Sequence, residues 1–251
     1  MFTSSITNCY ATGVISGNGS AVGGVAGFVY NGGNLTNCYA TGAVSGNQQV
    51  GGVAGQVYGG YVTNCYATGA VSGNMYLGGI VGDVSGTSSV TNCYATGAVN
   101  GNYYVGGVAG SVGGSSVTNC YATGTVQGIE IVGGIAGRVA SNSSVTNCTA
   151  LNSSVTRLSG EELTFGRVAG SNDGGTVEDN IVLQGMAQPA GATGENGTDV
   201  TPANAKLQAS YTGWNFGTTD IEPWKMGVGS YELLVFYWQT VVPATMPEHL
   251  R

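Results

Sequence analysis

Charge is almost missing from the first half of this chain. From Met1 to Ile129 the one charged side chain is Asp83, and all six Lys and Arg residues lie beyond it. A nucleic-acid binder needs a basic stripe, so that class of partner is excluded. Long apolar runs are missing too, and nothing reaches the roughly 20 residues of a membrane-spanning helix. Histidine occurs once, at His249, and no C-x-x-C occurs, so no metal site and no cofactor are expected. Met1 leads straight into repeated sequence without a signal peptide, which reads as a segment cut from a longer chain. Proline is scarce at 5 residues, against 46 glycines. The glycines lack the three-residue period of collagen. With 42% hydrophobic and 8% charged residues the chain is too apolar for disorder. What remains is an ordered fold with many tight bends.

What is present is repetition. "TNCYATG" begins at Thr7, Thr36, Thr63, Thr91 and Thr118, with a diverged copy, "TNCTALN", at Thr146. The cysteines Cys9, Cys38, Cys65, Cys93, Cys120 and Cys148 are therefore spaced by 29, 27, 28, 27 and 28 residues. A second landmark follows each: "GGVAG" at Gly23, Gly51 and Gly106, "GGIVG" at Gly78, "GGIAG" at Gly133 and a diverged "FGRVAG" at Phe165, after an insertion around "RLSGEEL". A fixed period of this size marks a solenoid. The segments are short, β-branched and glycine-punctuated, which excludes helical repeats and predicts an all-β parallel β-helix. We expect about six rungs of 27–28 residues, each of three short strands and three bends, over residues 1–184. Stacked at about 4.8 Å, they form a rod on the order of 30 Å long.

In a stacked rung, strand alternation sorts side chains inward and outward. Asn8, Asn37, Asn64, Asn92, Asn119 and Asn147 are expected to stack at one bend and bond along the column. The cysteines, with Ala11 and its copies, fall inside a narrow corner as free thiols, since column neighbours are too far apart for a disulfide. Tyr10, Tyr39, Tyr66, Tyr94 and Tyr121 fall outside, as a ladder beside Thr12 and its copies. Tyr76 and Tyr104, with Met75, Tyr103 and Ile131, form a second exposed patch. From Gly185 the period ends, and residues 185–251, which hold Trp214, Trp224 and Trp238, read as an aromatic-rich cap over the rod's end.

"NCYATGAVSG" followed by "VGGVAG" resembles the GLUG repeat of bacterial secreted and cell-surface proteins, and "GWNF…WKMG…SYELLVFYWQ" is similar to the sequence that closes such arrays. The resemblance covers nearly the whole chain. It implies an extracellular or cell-surface location and a place in large adhesin-like proteins or in IgA-specific zinc metalloproteases. Those proteases need an H-E-x-x-H motif, which a chain with one histidine does not hold, so protease activity does not carry over.

The function expected is non-catalytic: a structural or adhesive module that presents stacked Tyr and Thr columns to a host or matrix glycan or protein. A carbohydrate-binding or carbohydrate-processing β-helix is the alternative, and end-to-end self-association into fibres a second. Catalysis needs titratable groups in reach of one substrate. Glu130, Arg138, Glu161, Glu162 and Arg167 stand at unrelated points of the period. Glu195 and Asp199, in "ATGENGTDVT", read as a solvated loop.

Overall fold

The computed structural model describes residues 4–161, 164–239, 243 and 245–251; Glu162 lies outside them. The chain winds as a β-solenoid of about six turns, and the strands of successive turns pair in parallel. Each turn carries five short strands rather than three. In the first turn these are Ser5–Thr7, Tyr10–Ala11, Ile15–Ser16, Ser20–Gly23 and Ala26–Tyr30. Their copies stack into five ladders of seven, eight, six, six and six strands in that chain order. The added breaks, at 12–14, 17–19 and 24–25 in the first turn, each contain glycine.

The repeat explains the core. Leu35, Val62, Val90, Val117 and Val145 of the first ladder stack in register and are fully or almost fully buried. Val44, Val71, Val99 and Val126 do the same in the third, and Val50, Leu77, Val105 and Val132 in the fourth. The core is narrow where "GG" faces "YATG". A Cβ on Gly52 would lie 2.2 Å from Gly79 O and 2.6 Å from Ala67 Cβ; one on Gly79 would lie 2.2 Å from Gly107 O and 2.5 Å from Ala95 Cβ. Glycine on one wall and alanine on the other set this width, which is why both recur.

Cys38, Cys65, Cys93, Cys120 and Cys148 are buried in this core, Cys9 is exposed, and all six are free. Each buried Sγ donates to the threonine carbonyl two residues earlier and to a carbonyl of the preceding turn, as Cys93 does to Thr91 O (3.3 Å) and Val62 O (3.6 Å). Burial is the largest influence on Cys93 and Cys148 and raises both thiols well above the usual range.

Asn8, Asn37, Asn64, Asn92, Asn119 and Asn147 occupy the bend after the first ladder with φ between 52° and 56°, and Asp179 follows at 56°. Asparagine suits this left-handed position because its short polar side chain tolerates it. Within the column Asn92 Nδ2 donates to Asn64 Oδ1 (3.2 Å) and Asn147 Nδ2 to Asn119 Oδ1 (2.6 Å).

The non-repetitive tail begins by covering the last turn, where Glu195 bonds Ala169 and Val168 and where Met186 and Val200 join the core. Thr198–Val200 first adds an eighth strand to the second ladder. The chain then forms two 3-10 turns, Asn204–Lys206 and Gln208–Ser210, and a small antiparallel pair, Trp224–Met226 with Leu234–Phe236. This tail lies along the side of the solenoid, against the tyrosine column.

Candidate recognition face

The tyrosine column does point outward, and its rings stack at 4.8–5.1 Å from Tyr10 to Tyr121. Its expected exposure must be corrected. Tyr66, Tyr94 and Tyr121 are at most 1% exposed, Tyr39 is half-buried, and only Tyr10 is open, at 66%. The reason is the tail. Phe236 and Trp238 pack on Tyr66 with ring centroids at 6.2 and 5.9 Å, and Trp224 packs on Tyr94 and Tyr121 at 6.3 and 6.0 Å. Tyr121 Oη donates to Leu234 O at 2.5 Å. The asparagine column is engaged as well: Asn37 and Asn64 donate to Asp220, both at 3.0 Å, and Trp224 Nε1 donates to Asn92 Oδ1 at 3.3 Å. Burial pushes the Tyr231 hydroxyl up to about 12 and raises Tyr66, Tyr94 and Tyr121 further. The threonine column is open at Thr12, half-buried at Thr41, Thr68 and Thr96, and buried at Thr123.

A different face stays open. In the fourth ladder one residue of each turn bulges out of the pairing: Met75 pairs with Gln48 and Tyr103, and Leu77 with Val50 and Val105, leaving Gln49, Tyr76 and Tyr104 between. Ala21, Gln49, Tyr76, Tyr104 and Ile131 all adopt φ of 52–59°. For such residues this conformation is unusual, and the neighbouring turn holds it in place. The last glycine of each landmark lies against the bulge of the preceding turn, so a Cβ on Gly110 would come 2.6 Å from the Tyr76 carbonyl carbon. The bulge aims a row of side chains outward. Tyr76 and Tyr104 are half-buried and stacked at 4.9 Å with planes 12° apart.

Beside them, on the fifth ladder, stand Gln56, Asp83, Ser111 and Arg138 in register. Asp83 accepts from Gln56 Nε2 (2.8 Å), Ser85 Oγ (3.3 Å) and Gln49 Nε2 (3.5 Å). Burial raises the Tyr76 hydroxyl, with Tyr104 and Asp83 adding to the shift and Arg138 opposing it, so these four groups share one electrostatic neighbourhood. An aromatic ledge flanked by amides, a carboxylate and a guanidinium can stack on a ligand ring and hydrogen-bond its edge. Only Tyr76 and Tyr104 of this set were legible in the sequence, since Gln49, Gln56 and Asp83 fall in variable positions. Further along the rod, Arg138 pairs with Asp173 at 2.6 Å, Arg167 with Asp199, and Glu195 accepts from Asn172 at 3.2 Å.

Burial is the largest influence on Asp83 and raises its carboxyl from the ordinary 3.8 despite the three donors. A raised carboxylate weakens the fold as it ionises: its contribution is fully present below 3.8 and is lost as pH rises through the higher folded value. Asp83→Asn is therefore expected to raise Tm at neutral pH and to leave it unchanged at pH 3. A variant that melts lower than the parent at neutral pH would show that the carboxylate stabilises the rod.

Five copies of the GLUG motif match the chain, at residues 18–45, 46–72, 73–100, 101–127 and 128–156, together more than half of it. The chain belongs to the GLUG-motif family. Its GLUG repeats and tail also resemble a crystal structure from Bacteroides ovatus, provisionally named an immunoglobulin A1 protease. That likeness has a TM-score of 0.69 and 22% sequence identity, and covers 92% of this chain and 75% of the other. It concerns the fold. No protein of curated function matches the chain. No helix among the described residues is long and apolar enough to cross a membrane.

Proposed function

We propose that this GLUG solenoid is a non-catalytic structural and adhesive segment of a bacterial cell-surface or secreted protein. It holds the Tyr76–Tyr104 ledge out to a host or matrix ligand. The observation that carries this reading is the contrast between two aromatic columns. The long tyrosine ladder is covered by the chain's own tail, whereas the shorter Tyr76–Tyr104 stack is half-buried beside unlike polar groups, with no tail ring packed on it among the described residues. Asp83 is occupied by Gln56 and Ser85, and Arg138 by Asp173, which suits a binding surface better than proton transfer. The name given to the Bacteroides ovatus protein is that protein's, and no proteolysis is proposed here.

The test is an array of host glycans and matrix proteins, probed with the parent and with a Tyr76→Ser/Tyr104→Ser variant. Binding by the parent that the folded variant loses by tenfold or more supports the ledge. Equal binding by both moves recognition elsewhere, and no binding by the parent makes this stretch of the rod a spacer.

A further inference from the structure

The repeat breaks once in a way that leaves space. Along the second ladder the outward position holds Tyr39, Tyr66, Tyr94 and Tyr121, then Thr149 and Ile181. The tail continues over this stretch, with Gly213 close above the column: at φ +81° its Cβ would lie 3.1 Å from Asn147 Nδ2. A threonine beneath a strap spaced for phenol rings leaves a cavity of about 600 Å³.

We infer that this cavity binds a short neutral saccharide. Its volume lies within the range of small-ligand sites. Trp214 forms one wall and is itself fixed, with ring centroids 5.0 Å from Trp224 and 5.4 Å from Tyr211. The indole is 7% exposed, so it offers the C–H groups of a sugar a small apolar contact rather than a full face. Around it stand hydroxyls and amides, including Thr198, Thr212 and Asn147, and one carboxylate, Asp179. Asp179 occupies the left-handed bend where the six turns before it have asparagine. That exchange gives two strong acceptors for sugar hydroxyls one turn beyond Thr149, beside Ile181, where the tyrosine is also missing. Among the described residues the lining contains no Lys, Arg or His, so nucleotides and acidic sugars find no counter-charge there. Thr149 is 1% exposed, and its Oγ1 has no hydrogen-bond partner among the described residues. Buried hydroxyls are nearly always paired, so this one marks a gap in the packing behind the cavity. Asn180 fixes the floor, accepting from Cys148 N (2.8 Å) and donating to Val145 O (2.9 Å).

The site is separate from the Tyr76–Tyr104 ledge, and the two are tested by different variants. The parent would be titrated with cellotriose, maltotriose and N-acetyllactosamine, with sialyllactose as the acidic comparison, read by calorimetry and tryptophan fluorescence. At least one neutral sugar is expected to bind with a Kd of about 1 mM or tighter. The repeat itself supplies the variants: Thr149→Tyr restores the ring and Asp179→Asn the amide of the other turns. Thr149→Tyr should abolish binding and Asp179→Asn weaken it about tenfold, while Tyr76→Ser/Tyr104→Ser leaves it unchanged. Failure of every neutral sugar, preference for sialyllactose, or full affinity in Thr149→Tyr overturns the proposal. If Thr149→Tyr does not fold, unchanged affinity in Asp179→Asn overturns it.

Discussion

Replacing Trp224 with alanine is expected to release the tail while the rod stays folded. Trp224 is fully buried at the junction of the tail with the tyrosine and asparagine columns. Its ring lies 4.6 Å from Phe236 and 5.0 Å from Trp214, faces Tyr94 and Tyr121, and its Nε1 holds Asn92. Truncating such a residue costs about 3–5 kcal/mol. In a solenoid each turn is stabilised mainly by its neighbours, and the tail lies beside the turns rather than between them. The loss should therefore fall on the tail. Tryptic cleavage after Lys206 and Lys225 is expected to accelerate about a hundredfold or more, with far-ultraviolet circular dichroism of the β-structure retained. A single joint loss of tail and rod would show instead that the two unfold as one unit.

The second large effect concerns one methyl group. Gly79→Ala places a Cβ 2.2 Å from a backbone carbonyl of the next turn and 2.5 Å from Ala95 Cβ, with backbone packed on both sides. The turn cannot widen without breaking ladder pairing, so a destabilisation of about 3 kcal/mol or more is expected. Gly114→Ala is the comparison. Its φ is +59° but no atom lies within 4 Å of the added Cβ, so only the local conformational cost of about 1–2 kcal/mol applies. Thermal unfolding of the two variants side by side decides the matter. Similar Tm values would mean that the narrow core yields more easily than its dimensions imply.

The solenoid was legible because its signal repeats. Cysteine, valine and alanine recur at a fixed period, and stacking turns that into columns without knowledge of long-range contacts. The left-handed bend at Asn37 or Asn64 was half legible: asparagine marked the place, and its stacking could be foreseen, but its partners in the tail could not. Asn37 meets Asp220 across 183 residues, in a region with no period to align it. The tail's tryptophans were readable as cover for something apolar, and nothing in the sequence told the tyrosine column along the side from the rod's end. The outward bulge of the fourth ladder was hidden for another reason. Gln49, Tyr76, Tyr104 and Ile131 carry no glycine or asparagine mark of a positive φ. The cause sits one turn away, in the landmark glycines that back each bulge.

A strap of fixed length over identical turns also bears on how such arrays can change. Nearly identical coding units are prone to gain or loss of whole copies by unequal recombination. The tail reaches from Asn37, through Asp220, to the turn of Thr149, beneath Trp214. A copy inserted between those points would put Asp220, Trp224 and Tyr231 one turn out of step with the asparagines and tyrosines they hold. A copy added on the far side of Asn37 would disturb none of these contacts. Growth and shrinkage of the array are thus steered toward the uncovered turns, and the strap keeps a fixed count beneath itself.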